Sequence, residues 1–114
     1  MYDSTIDLLE HIQTELKFIA KAIKNLSLED FIRDEVLKRA VIRSIEIIGE
    51  ASKKINPDFK AQHPHVEWKQ AARMRDKLIH DYAGVDYALV WDTMKDELPE
   101  FEFQIDNLIK QNES

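Results

Sequence analysis

Apolar residues recur at three- and four-residue steps along nearly all of this chain of 114 residues. That spacing places them on one face of an α-helix, whereas a half-buried strand would need strict alternation. The first such stripe follows Ser4, which forms a capping-box pattern with Asp7, and runs to about Asn25. The absence of cysteine excludes disulfides and thiolate metal sites. Only two glycines and three prolines argue against turn-rich β folds and glycine-rich phosphate loops. The sequence therefore predicts an all-α protein.

A second helix is predicted to begin after Ser27, which has Asp30 three residues on, and to continue unbroken to about Ile55. Its main apolar stripe comprises Leu37, Val41, Ser44, Ile45, Ile48, Ala51 and Ile55. Val36, Ala40 and Ile47 widen this stripe, which predicts that the helix packs on two sides. Gly49 in mid-helix predicts the close approach of another helix.

The rest of the chain is predicted to form an irregular loop and three more helices. Residues 58–65 form the loop after Asn56-Pro57, and a third helix runs from about Val66 to Tyr82 with Gly84 as its C-cap. Asp86 caps a fourth helix, and Pro99 lies in the first turn of a fifth, which frays from Gln111. The prediction is one domain, residues 1–114, folded as an antiparallel bundle of four to five helices.

The charge distribution bears on the class of partner. The net charge is −6, from 16 basic and 22 acidic residues, which disfavours a general nucleic-acid binder. The acidic excess lies entirely within residues 85–114, whereas residues 68–80 are locally basic. No apolar run approaches the roughly 18 residues of a membrane span, and the N-terminus does not resemble a signal peptide. A cytoplasmic location and no membrane association are therefore expected.

Arg75 is the anomaly of the third helix, because it falls on the apolar phase between Ala71 and Leu78. A guanidinium buried without a partner would be costly. One interpretation is a structural ion pair with Glu46, Glu50 or Asp76. The other is a clamp for a phosphate group, for which the planar fork of arginine is suited.

His80 and Tyr82 follow Arg75 closely. As an imidazole in the last helical turn, His80 could act as a general acid or base near neutral pH, although a lone histidine more often packs or faces solvent. Positions five apart lie about 140° apart on an ideal helix, so Arg75 and His80 would meet only by reach, by a loosened turn or across a second chain. The Tyr82 hydroxyl is interpreted as lying at a surface rim, contacting a phosphate or being modified.

No metal site or cofactor is predicted. His63 and His65 offer two imidazoles but no obvious third ligand.

The run from Arg75 to Tyr82 matches the pattern R-x4-H-x-Y, and residues 47–51 spell IIGEA. Together with Trp68 and the Leu98-Pro99 pair, these motifs resemble the HepT-like branch of the HEPN domain proteins over essentially the whole chain. The position after the motif arginine is often asparagine in that superfamily, whereas here it is Asp76, which adds a negative charge beside the expected phosphate site.

The resemblance implies a homodimeric toxin of a type VII-like toxin–antitoxin pair, acting as a metal-independent RNA endonuclease. It implies a catalytic Arg75 and His80 in a cleft at the dimer interface, and RNA as the substrate. It further implies a cognate minimal nucleotidyltransferase antitoxin of the MntA kind, which transfers AMP to Tyr82 and so blocks the cleft. The main alternative is a non-catalytic helical dimer that serves as the partner or substrate-binding subunit of a nucleotidyltransferase. A second is a regulatory bundle that binds a small ligand or nucleotide.

Overall fold

A computed structural model describes residues 4–80 and 84–113 of the chain, with the backbone alone for His80 and Glu113. Its helices are α1 (Thr5–Ala22), α2 (Leu28–Arg33), α3 (Glu35–Lys54), α4 (Pro57–Gln62), α5 (Trp68–Leu78), α6 (Tyr87–Asp92) and α7 (Leu98–Glu113). A π-helical turn, Thr93–Glu97, joins α6 to α7, and two short strands, β1 (Ile79–His80) and β2 (Gly84–Val85), follow α5. The predicted all-α class is confirmed.

The helix starts follow the caps that the sequence predicted. The Ser4 hydroxyl accepts a hydrogen bond from the Asp7 amide at 3.1 Å. Ser27 and Asp30 form a full capping box, in which each side chain accepts from the other's amide. Helix α1 ends at Ala22, slightly before the predicted end, and Asn25 takes a left-handed conformation with φ 67°.

The single helix predicted from Ser27 to Ile55 is wrong, because the chain breaks at Asp34. Asp34 has φ −95° and ψ 95°, outside the helical region, and its carboxylate accepts from the Leu37 amide at 2.9 Å. It therefore caps α3 as a separate helix. The predicted loop 58–65 is wrong in its first part, because Pro57 occupies the first turn of α4.

The third predicted helix is too long at its C-terminal end. Helix α5 stops at Leu78, and Ile79 has extended dihedral angles of φ −117° and ψ 113°. Strands β1 and β2 pair antiparallel, with Ile79 opposite Val85 and His80 opposite Gly84. Gly84 is thus a residue of β2, with φ 85°, and not a helix C-cap.

The fourth and fifth predicted helices are continuous. The Leu98 amide donates to the carbonyl of Thr93, five residues back, so the helical turn widens to π geometry just before Pro99. Pro99 has no amide hydrogen, which removes one hydrogen bond of an ordinary helix at this point. Helix α7 extends to Glu113, beyond the predicted fraying at Gln111.

Helix α1 packs against α3 on one side and α7 on the other, and α3 also packs against α5. The α1–α7 pair is antiparallel, because Gln13 bonds Asp106 while Lys17 contacts Glu102. The predicted close approach at Gly49 is confirmed, since a Cβ there would lie 3.5 Å from the Ala71 carbonyl oxygen. Fully buried side chains from every α-helix except α4 form one core: Leu9, Ile12, Phe31, Val41, Ile45, Ile48, Leu78, Val90 and Ile105.

The three residues that widen the apolar stripe of α3 are not fully buried by the described part of the chain. Val36 is 81% exposed, and Ala40 and Ile47 are only partly buried. The predicted packing of this helix on two sides is confirmed, because α3 packs against both α1 and α5.

Candidate functional site

Arg75 lies on α5 at the edge of the surface that this helix presents to α3. Its neighbours on the apolar phase, Ala71 and Leu78, are buried, but the Arg75 side chain remains 44% exposed. Helix propensity and the apolar phase place the Cα of Arg75 near the core, and the long side chain carries the guanidinium out to solvent. The expected buried guanidinium is therefore half exposed.

Two carboxylates hold this guanidinium loosely. Nε lies 3.5 Å from Oε2 of Glu46 on α3, and Nη1 lies 3.4 Å from Oδ1 of Asp76. Glu46 is itself 37% exposed, so neither contact is an internal ion pair. Charge-assisted hydrogen bonds are usually about 2.7–2.9 Å long, so both of these contacts are longer than normal. An incoming phosphate could replace these contacts without leaving a buried charge unpaired.

His80 does not lie in a helical turn, which corrects the sequence-based expectation. Helix α5 has ended two residues earlier, and the His80 backbone belongs to β1. Two expectations fail with that position. His80 is not in the last turn of a helix, so the argument from the negative helix end does not apply to it. The 140° separation from Arg75 does not apply either, because Arg75 lies on α5 and His80 on β1.

The β1–β2 pair fixes the backbone on which His80 lies. Besides the pairing of Ile79 with Val85, the Asp86 amide donates to the carbonyl of Leu78 at 3.2 Å. The Asp86 carboxylate then accepts from the Leu89 amide and caps α6. The chain thus leaves α5, reverses direction and enters α6 within a few residues. Tyr82, the expected site of AMP transfer, lies outside the described residues.

The strand pair was not predicted from the sequence, although a signal for it was present. β-branched Ile79 and Val85 flank a short polar segment, and a glycine at position 84 permits the positive φ of a tight reversal. The same glycine also suits a helix C-cap, so the pattern was compatible with both structures.

Within residues 4–80 and 84–113, no group of three or more histidine, aspartate or glutamate side chains could hold a metal ion. The His63 and His65 rings lie 6.0 Å apart, and His63 packs against Phe59 with ring centroids 4.7 Å apart. None of the described helices is both long enough and apolar enough to span a bilayer.

Comparison with known protein families gives the decisive observation. The family model described as ribonuclease HepT-like matches residues 12–108, which include α3, α5 and the whole motif segment. The chain belongs to the HepT-like ribonuclease family. The family resemblance drawn from Arg75, His80, Tyr82 and the IIGEA segment is therefore confirmed, and the matched region covers all the elements around the candidate site.

Three relatives illustrate how closely the chain follows this family. A protein of Caldanaerobacter subterraneus subsp. tengcongensis, named an RNase by inference, is 48% identical over 90% of this chain and 91% of its own. An inferred ribonuclease HepT of Thermococcus cleftensis is 45% identical over 91% of this chain and 94% of its own. An inferred RNase of Methanocaldococcus jannaschii is 45% identical over 91% of this chain and 83% of its own. No solved structure matches the chain.

Proposed function

We propose that this HepT-like protein is a metal-independent RNA endonuclease, with Arg75 and His80 as its catalytic residues in a cleft shared by two chains. The observation that carries the proposal is the state of Arg75. Its guanidinium lies on the family motif, is half exposed, and makes only long contacts with Glu46 and Asp76. Such a group is already positioned by protein contacts and can still bind an anion from solvent.

In the proposed reaction, the ribose 2′-oxygen attacks the adjacent phosphorus while the bond from phosphorus to the 5′-oxygen breaks. The 2′-hydroxyl loses its proton to a base, and the 5′-oxygen gains one from an acid, which gives a 2′,3′-cyclic phosphate and a 5′-hydroxyl. His80 carries out one of these proton transfers, and His80 of a second chain or water carries out the other. Arg75 stabilises the charge that develops on the phosphorane oxygens.

The substrate is proposed to be an exposed or single-stranded RNA segment, because base-paired A-form RNA restricts access to the scissile geometry. The net charge of −6 opposes tight, general RNA binding. A narrow set of RNA targets therefore fits this chain better than broad degradation.

A homodimer is proposed because the family motif supplies a single histidine per chain. The apolar surface that the described residues leave open on α3 supports this proposal: Val36 is 81% exposed, and Ile47 is only partly buried. A second chain could bury such a surface. Sedimentation equilibrium should give twice the chain mass, and Val36→Glu should shift the population towards monomer.

The proposed biological role is the toxin of a type VII-like pair in the cytoplasm, silenced by a minimal nucleotidyltransferase antitoxin that transfers AMP to Tyr82. An AMP group on the motif tyrosine would add bulk and negative charge to the motif and so oppose the binding of RNA. Mass spectrometry after incubation with the partner enzyme and ATP should show added AMP. Tyr82→Phe should remain unmodified, whereas modification that persists in this variant would reject Tyr82 as the acceptor.

The nuclease activity is tested with purified protein, RNA and excess EDTA. His80→Ala should lower the cleavage rate by about 10²–10⁴-fold, and Arg75→Ala by about 10²–10³-fold. Arg75→Lys should rescue little, because lysine lacks the planar fork. Cleavage at an equal rate in wild type and His80→Ala would reject the catalytic assignment. Loss of cleavage on adding EDTA would reject the metal-independent mechanism.

The alternative, a non-catalytic dimer that serves a nucleotidyltransferase, treats Arg75 as a buried structural ion pair. The 44% exposure of its side chain counts against that role. Failure of the wild-type dimer to cleave any RNA, together with tight binding of the nucleotidyltransferase, would favour it.

A further inference from the structure

Glu46 on α3 places a carboxylate beside the motif guanidinium, and the proposed reaction so far gives it no part. Its Oε2 lies 3.5 Å from Nε of Arg75. Within residues 4–80 and 84–113 this is the only hydrogen bond or ion pair of its side chain. A surface contact of this kind is often only structural. However, the Glu46 side chain is partly exposed, so a substrate can reach the carboxylate from solvent.

The close packing of α3 on α5 fixes the position of this carboxylate. A Cβ at Gly49 would lie 3.5 Å from the carbonyl oxygen of Ala71, so the two helices approach closely there. Glu46 precedes Gly49 by three residues, and its partner Arg75 follows four residues after Ala71. The contact therefore lies about one helical turn from the close approach, with the two helices antiparallel. A group on such a packed helix is held more precisely than a group on a loop, as proton transfer requires.

The contact also leaves the phosphate-binding end of the guanidinium available. Glu46 lies against Nε, whereas Nη1 has only the 3.4 Å contact with Asp76. A phosphate that binds through the two Nη atoms of Arg75 would lie next to the Glu46 carboxylate. The 2′-hydroxyl of the cleaved nucleotide neighbours that phosphate, and so lies within reach of a proton acceptor at this place.

Cleavage needs a second proton-transfer group besides His80. We propose that Glu46 is the general base of the reaction, and that His80 is therefore the general acid. The Glu46 carboxylate takes the proton of the 2′-hydroxyl while the 2′-oxygen forms its bond to phosphorus. The bond from phosphorus to the 5′-oxygen breaks, and that oxygen takes a proton from His80. Solvent water then removes the proton from Glu46 and reprotonates His80.

This inference rests on the proposed nuclease function and deepens it. Glu46 replaces the second chain's histidine or water as the partner of His80 in proton transfer. Asp76 is the other carboxylate beside Arg75, but its side chain is 70% exposed, against 37% for Glu46. It is therefore less fixed by its surroundings, which makes it suitable as a control and a weaker choice as the base.

The first test is single-turnover cleavage, in EDTA, of an RNA that the wild-type protein cleaves. Glu46→Gln should lower the rate by about 10²–10⁴-fold, the usual contribution of a general base. Glu46→Ala should be about as slow, because both variants lack the carboxylate. Glutamine still accepts a hydrogen bond from Arg75, so a purely positioning role would slow Glu46→Ala and leave Glu46→Gln near the wild-type rate.

Asp76→Asn is the matched control, because it removes the other negative charge that contacts the same guanidinium. It should cleave at nearly the wild-type rate. Binding is measured with a fully 2′-O-methylated copy of the RNA, which cannot be cleaved because it lacks the 2′-hydroxyl. Glu46→Gln should bind this RNA at least as tightly as wild type, since a negative charge beside the phosphate is lost.

The second test separates the base from the acid. The same RNA is synthesised with sulfur in place of the bridging 5′-oxygen at the cleaved linkage. Sulfur departs readily as a thiolate, because thiols are much stronger acids than alcohols, so this substrate does not need a general acid. His80→Ala should therefore recover most of its lost rate on the sulfur substrate, whereas Glu46→Gln should remain slow.

Recovery of Glu46→Gln on the sulfur substrate would overturn the assignment of Glu46 as the base. An equal loss of rate in Asp76→Asn would overturn it in favour of a general effect of charge near Arg75. A wild-type rate in Glu46→Gln, together with an inactive His80→Ala, would overturn this inference alone and leave the nuclease proposal intact. If the wild-type protein cleaves no RNA, the nuclease proposal itself fails, and the assignment of Glu46 fails with it.

Discussion

Arg75 Nε lies 3.5 Å from Oε2 of Glu46, and this contact joins α5 to α3 at the protein surface. Both side chains are partly exposed, so solvent screens the pair. Such pairs contribute about 0.2–1 kcal/mol to stability. The contact therefore positions the guanidinium more than it stabilises the fold, which distinguishes it from the buried ion pair that the non-catalytic alternative requires.

Glu46→Gln should consequently lower the free energy of unfolding by less than about 1 kcal/mol, because glutamine still accepts a hydrogen bond and no buried charge is left unpaired. Urea denaturation of wild type and variant measures this change. Glu50→Gln, one turn further along α3 and exposed, is the control for loss of one charge. A loss of several kcal/mol in Glu46→Gln alone would support a structural role for Arg75.

Two buried serines on α3 should respond to alanine in opposite directions. Ser44 Oγ donates to Glu15 at 2.7 Å, whereas Ser52 is fully buried and its Oγ has no hydrogen-bond partner in the described structure. Ser44→Ala should cost about 0.5–1.5 kcal/mol. Ser52→Ala should stabilise by up to about 1 kcal/mol, because it removes an unsatisfied polar atom and raises helix propensity. Thermal unfolding of the two variants tests the pair, and equal destabilisation would contradict the assignment of partners.

The apolar periodicity was sufficient to predict the long helices and nearly all of the core, because burial and helical phase coincide there. It was insufficient at Asp34. The apolar stripe continues past this residue from Phe31 to Leu37, and only the carboxylate that caps Leu37 shows that two helices meet. A capping aspartate and an exposed helical aspartate have the same effect on a periodic pattern.

The candidate site, like the fold, could be predicted from the sequence only in part. The motif positions could be identified from local residue types, and Glu46 and Asp76 were among the carboxylates expected near Arg75. The β1–β2 pair could not be identified, because it depends on pairing across the segment and because Gly84 is equally suited to end a helix.

Gly49 should accept alanine but not a large side chain. A Cβ at this position would lie 3.5 and 3.6 Å from the Ala71 and Ala72 carbonyl oxygens, which is ordinary van der Waals contact. Gly49→Ala should therefore stabilise α3, by up to about 1 kcal/mol from helix propensity. Gly49→Leu should destabilise by several kcal/mol, since α5 would have to move. Chemical denaturation checks both, and destabilisation by alanine would show a closer approach of the helices.

The capping box of α2 should make the free energy of unfolding depend on pH in the acidic range. The backbone amide of Ser27, and next its side chain, hold the pKa of Asp30 below its ordinary value of 3.8. The folded state therefore binds this proton less readily than the unfolded state. The stabilising contribution of Asp30 is fully present above its ordinary pKa, and it is lost as the pH falls through the pKa of Asp30 in the folded state. Urea midpoints between pH 6 and about pH 2.5 should fall more steeply for wild type than for Asp30→Asn. Parallel profiles would contradict the capping assignment.

Substitutions at Gly84 test whether the proposed activity depends on the backbone geometry of the β1–β2 pair. Its φ of 85° lies in the left-handed region, while a Cβ would meet no atom of residues 4–80 and 84–113 within 4 Å, so backbone strain is the cost that we expect for a side chain there. Gly84→Ala should cost about 1 kcal/mol, and relief of the strain should shift the paired His80 backbone.

Because asparagine tolerates positive φ better than other residues, Gly84→Asn should retain more activity than Gly84→Ala. The ratio of kcat between the two variants, measured in EDTA well below both melting temperatures, checks this. The position of β1 matters for catalysis only if kcat falls more in the alanine variant. Equal kcat values would show that catalysis does not depend on the β1–β2 pairing.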